Sequence, residues 1–314
     1  MVGVNQIREA RERIGAVVRR TPVETSRGFD ERAGVRVFFK CENLQRGGAF
    51  KIRGASNFIF QLDPEQLRRG VVAYSSGNHA QAVAIAARLA GAPATLVMPS
   101  DAPRAKMEAT RAQGASIVCY QRGRQSREAI GEAIARDSGA TLVPPFDHPW
   151  IIAGQGTAAL ELLEDVPDLD ALVAPLGGGG LLAGSAIAAR SLRPGIRIFG
   201  VEPEDADDWR RSLAAGAPVE IPSPNTIADG LRATRPGEVT FGILGGLLEA
   251  VLVVSDRQIL EAMRFLLLRM KLLVEPSGAT AAAAVLAGML PPGLHSVGVI
   301  LSGGNVDLEL LRTL

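Results

Sequence analysis

Residues 171–180 read Ala-Leu-Val-Ala-Pro-Leu-Gly-Gly-Gly-Gly, and the residues from Leu181 to Arg190 follow as an apolar, helix-patterned stretch. A short apolar run, then glycines, then a helical pattern is typical of a buried parallel strand that leads into a helix. The glycines let backbone N–H groups approach an anion at the helix N-terminus. The alternative is a tight turn that only lets helix and sheet pack closely, but four successive glycines exceed what such a turn requires. The stretch therefore predicts an α/β fold with a phosphate site.

The same order of strand, polar loop and helix recurs on both sides of this stretch. The apolar run 71–74 ends in Ser75-Ser76-Gly77 and precedes an alanine-rich helical pattern from Asn78 to Ala90, and the run 297–301 ends in Ser302-Gly303-Gly304-Asn305. This alternation predicts parallel sheets covered by helices on both faces. Ligands of such sheets bind beyond the carboxyl ends of the strands. The loops therefore predict one site assembled from distant segments.

Composition excludes several classes of function. The chain has 314 residues, 47% of them hydrophobic, and a formal net charge of +1, which gives no broad attraction to nucleic acid or to an anionic membrane. Cys41 and Cys119 each follow an apolar, β-like run, so we expect both to be small buried residues and not a disulfide. The N-terminus, Met1 to Val4, lacks the features of a signal peptide. These observations favour a cytoplasmic protein.

Lys51 is the first candidate for chemistry because of its setting. It lies within Gly47-Gly48-Ala49-Phe50-Lys51-Ile52-Arg53-Gly54, where a solvated surface charge would be poorly placed. A desolvated ammonium loses its proton more easily than its ordinary pKa of about 10.4 suggests, and the neutral amine can form a Schiff base with an aldehyde. Together with the anion cradle at Gly177–Gly180 and the polar loop Ser75–His79, this amine predicts a pyridoxal phosphate enzyme.

Three further groups each have two interpretations. The loop Ser75-Ser76-Gly77-Asn78-His79 offers hydroxyls and helix-start N–H donors to a carboxylate, or it is an ordinary helix cap. The Ser302 hydroxyl either bonds a ligand nitrogen or caps the next turn. Acidic residues crowd one turn after Val201 and either hold Mg²⁺, Mn²⁺ or Ca²⁺ or belong to an acidic helix N-terminus. They are Glu202, Glu204, Asp205, Asp207 and Asp208.

Ordered motifs along nearly the whole chain resemble the fold-type II pyridoxal phosphate enzymes, specifically the threonine/serine dehydratase and serine racemase family. The motifs are Thr21-Pro22-Val23, Phe39-Lys40-Cys41-Glu42, Phe50-Lys51-Ile52-Arg53-Gly54, Ser75 to Gln81, Ala153-Gly154-Gln155-Gly156-Thr157, Gly177 to Gly180, Gly200-Val201-Glu202-Pro203, Thr226-Ile227-Ala228-Asp229-Gly230, Glu275-Pro276-Ser277 and Ser302 to Asp307. The resemblance implies a tryptophan synthase β-subunit-like fold of two open, mostly parallel twisted sheets with helices on both faces. It implies a discontinuous large cofactor-binding domain (residues 1–69 and 148–314) and a small mobile domain (residues 70–147).

The same resemblance implies roles for individual residues. Lys51 forms the Schiff base with pyridoxal phosphate, Phe50 flanks the cofactor ring and Asn78 contacts the ring hydroxyl. Ser302 faces the pyridine nitrogen and leaves it unprotonated, and Glu275 also counts among the cofactor-binding residues. The phosphate is held by Gly177, Gly178, Gly179, Gly180 and Leu181. The substrate carboxylate is expected at Ser75, Ser76, Gly77, Asn78 and His79. The carboxylates of Glu202 and Asp208 and the carbonyl of Ala206 match a divalent-cation site of the racemase branch.

The implied reaction is dehydration of L-threonine or L-serine to a 2-oxo acid and ammonia, with Lys51 taking the α-proton. Ser76 stands where threonine dehydratases often have alanine, and a serine there can protonate the opposite face of the α-carbon and racemise serine. Elimination from 3-hydroxyaspartate is a third activity of the family. A homodimer is the family expectation. The alternative from another class is a catalytically idle cofactor-binding or amino-acid-sensing protein, which intact Lys51, Asn78 and Ser302 argue against.

Overall fold

A computed structural model describes residues 2–75, 77–102 and 104–314 of the chain. Within these residues the strands are β1 (Val23–Thr25), β2 (Arg36–Cys41), β3 (Val71–Tyr74), β4 (Ala94–Pro99), β5 (Ser116–Tyr120), β6 (Thr141–Leu142), β7 (Ala171–Pro175), β8 (Arg197–Pro203), β9 (Ala250–Val254) and β10 (Ser296–Leu301). The α-helices are α1 (Val4–Ile14), α2 (Arg27–Ala33), α3 (Lys51–Ile59), α4 (Pro64–Arg69), α5 (Asn78–Ala90), α6 (Arg104–Ala112), α7 (Arg127–Ser138), α8 (Pro149–Asp165), α9 (Gly180–Leu192), α10 (Asp208–Ala215), α11 (Glu238–Leu244), α12 (Asp256–Phe265), α13 (Pro276–Leu286) and α14 (Leu308–Leu311).

The strands form two sheets. The first has the order β1-β2-β10-β7-β8-β9, in which the β1–β2 pair is antiparallel and the other pairs are parallel. The second has the order β5-β4-β3-β6 with parallel pairs throughout, and its strands all come from the chain between Val71 and Leu142. The predicted fold of two mostly parallel sheets with helices is thereby confirmed.

Alternation along the central strands explains why helices cover both faces of the larger sheet. Successive strand residues point to opposite faces, and in β7 the side chains of Ala171 and Val173 join one apolar cluster while Leu172 and Ala174 join the other. The first cluster includes α13 and the second includes α8 and α9. A strand that is buried on both sides needs apolar residues at every position, as β7 has.

Helices α8 and α9 pack closely because glycines remove side chains from their contact. A Cβ atom on Gly184 would lie 2.1 Å from the Ile152 carbonyl oxygen, and one on Gly156 would lie 2.7 Å from the Gly184 carbonyl oxygen. Larger residues would therefore push the two helices apart. This close contact fixes the start of α9, and with it the glycine stretch. Over the described part of the chain, no helix has both the length and the apolar character of a membrane span.

The structure corrects one prediction about the cysteines. Cys41 is buried as expected, but Cys119 is exposed. The reason is topological, because Cys119 lies on β5, which is the edge strand of the four-stranded sheet and is exposed at most of its positions. An apolar run along an edge strand looks in sequence like a buried one, since neighbouring strands decide its burial.

Candidate active site

Lys51 is the first residue of α3, and backbone hydrogen bonds join the loop before it to the loop after β10. The Phe50 N–H donates to the Ser302 carbonyl (3.0 Å), and the Gly304 N–H donates to the Gly48 carbonyl (2.8 Å). These bonds hold Lys51 and Ser302, which lie 251 positions apart in the chain (302 − 51), within one locally paired segment. The two loops that the sequence singled out are thus brought together.

The Lys51 side chain reaches the segment between β6 and α8. Its Nζ donates to the Pro145 carbonyl (2.7 Å) and lies 5.2 Å from the centroid of the Phe50 ring. Burial lowers the pKa of Lys51 from 10.5 to about 8. The amine therefore releases its proton far more readily than a surface lysine, which is what a nucleophile and a proton carrier both need.

The glycine stretch is enclosed by large side chains that leave no room for a Cβ atom. A Cβ on Gly178 would lie 2.3 Å from the Phe146 ring, and one on Gly179 would lie 2.5 Å from the Trp209 ring. Gly179 also has a φ of +92°, a conformation that favours glycine. The stretch therefore carries no side chains, and a ligand can approach its backbone groups directly.

Two side chains hold the carbonyl groups of this stretch. The Trp209 indole N–H donates to the Gly177 carbonyl (2.5 Å), and the Thr240 hydroxyl donates to the Gly178 carbonyl (2.8 Å). The first N–H groups of a helix have no partner within the helix, and Gly180 and Leu181 open α9. Of the predicted residues, Gly180 and Leu181 thus supply N–H donors at a helix N-terminus, which suits a phosphate, and Gly177, Gly178 and Gly179 form the turn before them.

Asn78, Glu275 and Asn305 form a hydrogen-bonded chain between three loops. The Asn78 Nδ2 donates to Glu275 Oε1 (2.6 Å), and the Asn305 Nδ2 donates to Asn78 Oδ1 (2.8 Å). Asn305 also donates to the Gly47 carbonyl (2.7 Å), in the loop that precedes Lys51. The predicted cofactor residues Asn78 and Glu275 are therefore in direct contact, and Asn305, which sequence reasoning did not assign, orients the Asn78 amide.

The loop from Ser75 to His79 begins α5, but its side chains have different uses. Ser75 Oγ accepts a hydrogen bond from the Gly77 N–H (3.2 Å). His79 Nε2 donates to the Val143 carbonyl (3.1 Å), and its pKa is lowered to about 3 by burial, with the nearby positive charge of Lys51 adding to the effect. His79 is neutral at physiological pH, and its ring is hydrogen-bonded to the backbone directly after β6. Ser76 lies outside the described residues.

The acidic turn after β8 contains a pair of buried carboxyl groups. Glu202 accepts the backbone N–H groups of Trp209 (3.2 Å) and Arg210 (3.0 Å), and burial raises its pKa to about 8. Both carboxyl oxygens of Asp208 are buried without a hydrogen-bond partner, and burial raises the pKa of Asp208 to about 7. Asp208 also contributes to the shift at Glu202, so the two groups are close.

The other acidic residues of the turn are not part of this pair. Asp207 forms ion pairs with Arg210 and Arg211, and Glu204 and Asp205 are exposed. Among the described residues, no three His, Cys, Asp or Glu side chains are grouped as metal ligands. The predicted cation set therefore rests on two carboxylates, Glu202 and Asp208, and on the carbonyl of the buried Ala206.

A buried charge network around Arg53, in the first turn of α3, was missed from the sequence. Arg53 donates two hydrogen bonds to Glu42 (2.8 Å each) and two to Glu161 (2.7 and 2.8 Å), while Lys40 pairs with Glu161 (2.7 Å). The four side chains carry two positive and two negative charges and are at most 5% exposed. They join β2, α3 and α8. In the sequence these residues are separate charges among apolar neighbours. Nothing near them in the chain indicates which charges they pair with.

Comparison with known proteins agrees with this geometry. The family model for "pyridoxal-phosphate dependent enzyme" matches residues 14–303. L-threo-3-hydroxyaspartate ammonia-lyase of Saccharomyces cerevisiae is 51% identical over 98% of this chain and 94% of its own. The structure of maize serine racemase superposes with a TM-score of 0.95 at 46% identity, over 99% of this chain and 96% of that one. The structure of serine racemase from Dictyostelium discoideum gives a TM-score of 0.92 at 44% identity, over 98% of this chain and 99% of that one.

These similarities extend over almost the entire chain, and they confirm the resemblance that the ordered motifs suggested. They also agree with the cofactor that Lys51 and the glycine stretch predicted. The chain belongs to the family of pyridoxal-phosphate-dependent enzymes.

Proposed function

We propose that this protein is a pyridoxal-phosphate-dependent ammonia-lyase that converts a hydroxy amino acid into a 2-oxo acid and ammonia. The observation that carries the proposal is the partly buried Lys51 amine, with a pKa of about 8, at the point where the loops of the site meet. The likeness of the chain to enzymes named for 3-hydroxyaspartate and for serine supports a small hydroxy amino acid as substrate.

The residues present fit the cofactor. Lys51 would bind it covalently, the donors from Gly177 to Leu181 would hold its phosphate, and Asn78, Glu275, Phe50 and Ser302 would surround its ring. The fit is supported by the crowded glycines, since a side chain on Gly178 or Gly180 would collide with Phe146 and one on Gly179 would collide with Trp209. When bound, pyridoxal phosphate supplies an electron-withdrawing ring that stabilises negative charge at the α-carbon of the substrate.

The chain's own groups then handle the proton and the carboxylate. Once the substrate amine has displaced it, the free Lys51 amine takes the α-proton, and the Pro145 carbonyl accepts a hydrogen bond from the resulting ammonium. The substrate carboxylate docks at the start of α5, on Ser75, Ser76, Gly77, Asn78 and the backbone of His79. A neutral His79 adds no charge there. The substrate loses its hydroxyl as water, and the water taken up in the final hydrolysis releases ammonia.

We favour L-threonine and L-serine as substrates, with 3-hydroxyaspartate as the second candidate because the yeast relative is 51% identical. Serine racemisation in the same site would depend on Ser76. One experiment separates these activities: purified protein is incubated with L-Thr, L-Ser, D-Ser and both diastereomers of 3-hydroxyaspartate, and 2-oxo acid and enantiomer ratio are measured together. Keto acid from 3-hydroxyaspartate alone would overturn the preference for threonine and serine. No product from any of them, in protein that binds the cofactor, would support the idle alternative.

We also propose that Glu202, Asp208 and the carbonyl of Ala206 bind Mg²⁺, Mn²⁺ or Ca²⁺. Buried carboxylate oxygens without a partner cost free energy, and a hard cation would supply the partner that Asp208 needs. Treatment with a chelator should lower thermal stability or activity, and metal addition should restore it. No response to either treatment would mean that the turn binds no metal and is an acidic helix N-terminus.

Three features of organisation complete the proposal. The residues 70–147 are a small mobile domain that closes over the substrate and excludes water, against a large domain of residues 1–69 and 148–314. The separate four-stranded sheet supports this division. The protein acts as a homodimer, which sedimentation would test. It is cytoplasmic, in agreement with its two free cysteines.

A further inference from the structure

Trp209 contacts both the glycine stretch and the acidic turn. Its indole N–H donates to the Gly177 carbonyl (2.5 Å), and its ring occupies the space that a side chain on Gly179 would need. Its backbone N–H donates to Glu202 Oε2 (3.2 Å), and it directly follows Asp208. The side chain is fully buried. A single rigid residue therefore joins the phosphate cradle to the carboxyl pair.

We propose that Trp209 couples cation binding at Glu202 and Asp208 to phosphate binding at Gly177–Gly180. This inference rests on the proposed cation site. A cation that ligates Asp208 removes the cost of its unpartnered oxygens in the arrangement where Glu202 accepts the Trp209 N–H, so it favours that arrangement over looser ones. With the start of α10 fixed, the indole holds the Gly177 carbonyl and keeps the cradle donors in place for the phosphate.

The other side chains that contact the glycine stretch do not come from the acidic turn. Thr240, which holds the Gly178 carbonyl, belongs to α11, and Phe146 belongs to the segment between β6 and α8. A change at the acidic turn therefore reaches the cradle most directly through Trp209. Coupling between two binding sites is reciprocal, so the cofactor must raise the affinity for the cation by the factor by which the cation raises the affinity for the cofactor.

The sequence allows this coupling to be read directly, because the chain has two tryptophans, Trp150 and Trp209. In Trp150→Phe the fluorescence reports on Trp209 alone. We expect the emission of this apoprotein to change on titration with Ca²⁺, and we expect Ca²⁺ to lower the Kd for pyridoxal phosphate by a factor in the range of about 5–150. Pyridoxal, which lacks the phosphate, is the matched control ligand, and its Kd should stay constant.

The variant Trp209→Phe keeps an apolar ring and loses the indole N–H. It should still bind Ca²⁺ by calorimetry, but Ca²⁺ should change its Kd for pyridoxal phosphate by less than about twofold. Undiminished coupling in Trp209→Phe would overturn the inference. If that variant does not fold, Asp208→Asn tests the same link. The Trp209 emission of this variant should not change on addition of Ca²⁺. Its Kd for pyridoxal phosphate should equal that of the wild type measured in the presence of chelator.

The outcomes separate this inference from the proposed function. A protein that turns over a hydroxy amino acid and binds Ca²⁺, but whose cofactor affinity does not respond to Ca²⁺, would overturn the coupling alone. Absence of Ca²⁺ binding would overturn the cation site and the coupling together. A protein that binds no pyridoxal phosphate would overturn the proposed function itself.

Discussion

The Lys51 ammonium donates a 2.7 Å hydrogen bond to the carbonyl of Pro145, which lies 94 positions further along the chain. Pro145 belongs to the segment from β6 to α8, and its neighbours serve the same site. The Val143 carbonyl accepts from His79, and the Phe146 ring fills the space beside Gly178. One short segment thus contacts the Lys51 amine, the first turn of α5 and the glycine stretch before α9. Movement of the proposed small domain would therefore displace this segment and change its contacts with the site.

Replacement of Lys51 by alanine should remove both the covalent link to the cofactor and the base. We expect 2-oxo acid formation to fall by about 10⁴-fold or more. Borohydride reduction followed by peptide mass spectrometry should find the cofactor attached to Lys51 in the wild type and to no residue in Lys51→Ala. Attachment at the exposed Lys271 would contradict the assignment, and so would turnover retained in the variant.

The lowered pKa of Lys51 predicts a pH dependence of apoprotein stability. The folded pKa of about 8 lies below the ordinary value of 10.5, so between these values the unfolded chain binds more protons and stability rises with pH. Below about pH 8 the amine is charged in the folded state, and the full cost of its partial burial applies. The uncharged variant Lys51→Met should therefore be more stable than the wild type at pH 7, and its advantage should shrink as the pH rises above about 8.

Urea unfolding of the two apoproteins between about pH 7 and 9.5 measures this difference. A stability advantage of Lys51→Met that stays constant across this range would mean that the amine keeps its ordinary pKa, and would contradict the prediction.

The proposed role of Ser76 in racemisation predicts that the two activities respond differently to its replacement. If its hydroxyl protonates the face of the α-carbon opposite Lys51, Ser76→Ala should slow racemisation of serine by about 10²–10⁴-fold while dehydration falls far less. The test is deuterium incorporation at the α-carbon, followed together with D-serine and keto acid formation. Equal losses in both activities would indicate that Ser76 binds substrate and moves no proton.

The parts of the site that were predictable are those with a local signature. Lys51 lies among glycines, and four glycines follow β7. Each of these local compositions suits a particular chemical role, so the sequence alone indicated both. Trp209, Thr240 and Asn305 act through contacts with segments far away in the chain, and their neighbours in sequence give no sign of it. Burial of an edge strand depends on the same distant information, which is why Cys119 was wrongly expected to be buried.

The buried charge network allows a test of how a missed feature supports the site. Glu161→Gln would leave the buried Arg53 and Lys40 short of one counter-charge, and removing one partner of a buried ion pair costs about 3–5 kcal/mol. Glu164→Gln is the matched control on the same helix, because Glu164 forms exposed ion pairs with Arg11 and Arg20 worth about 0–1 kcal/mol.

Denaturant unfolding of the two variants should separate them by several kcal/mol. If Glu161→Gln lost no more than Glu164→Gln, the network would contribute nothing beyond a surface pair, and the first turn of α3 would owe its position to apolar packing alone.

Gly179 and Gly216 form a second matched pair, since both have a positive φ, of +92° and +72°. Gly216→Ala should cost about 1–2 kcal/mol from backbone strain alone, because no atom lies within 4 Å of its Cβ position. Gly179→Ala has the same strain and adds a clash with the Trp209 ring, worth about 1–3 kcal/mol. It should also raise the Kd for pyridoxal phosphate, because the cradle must open to relieve the clash. Equal stability losses and equal cofactor affinities in the two variants would mean that the cradle yields freely, which its bracing by Trp209 and Thr240 argues against.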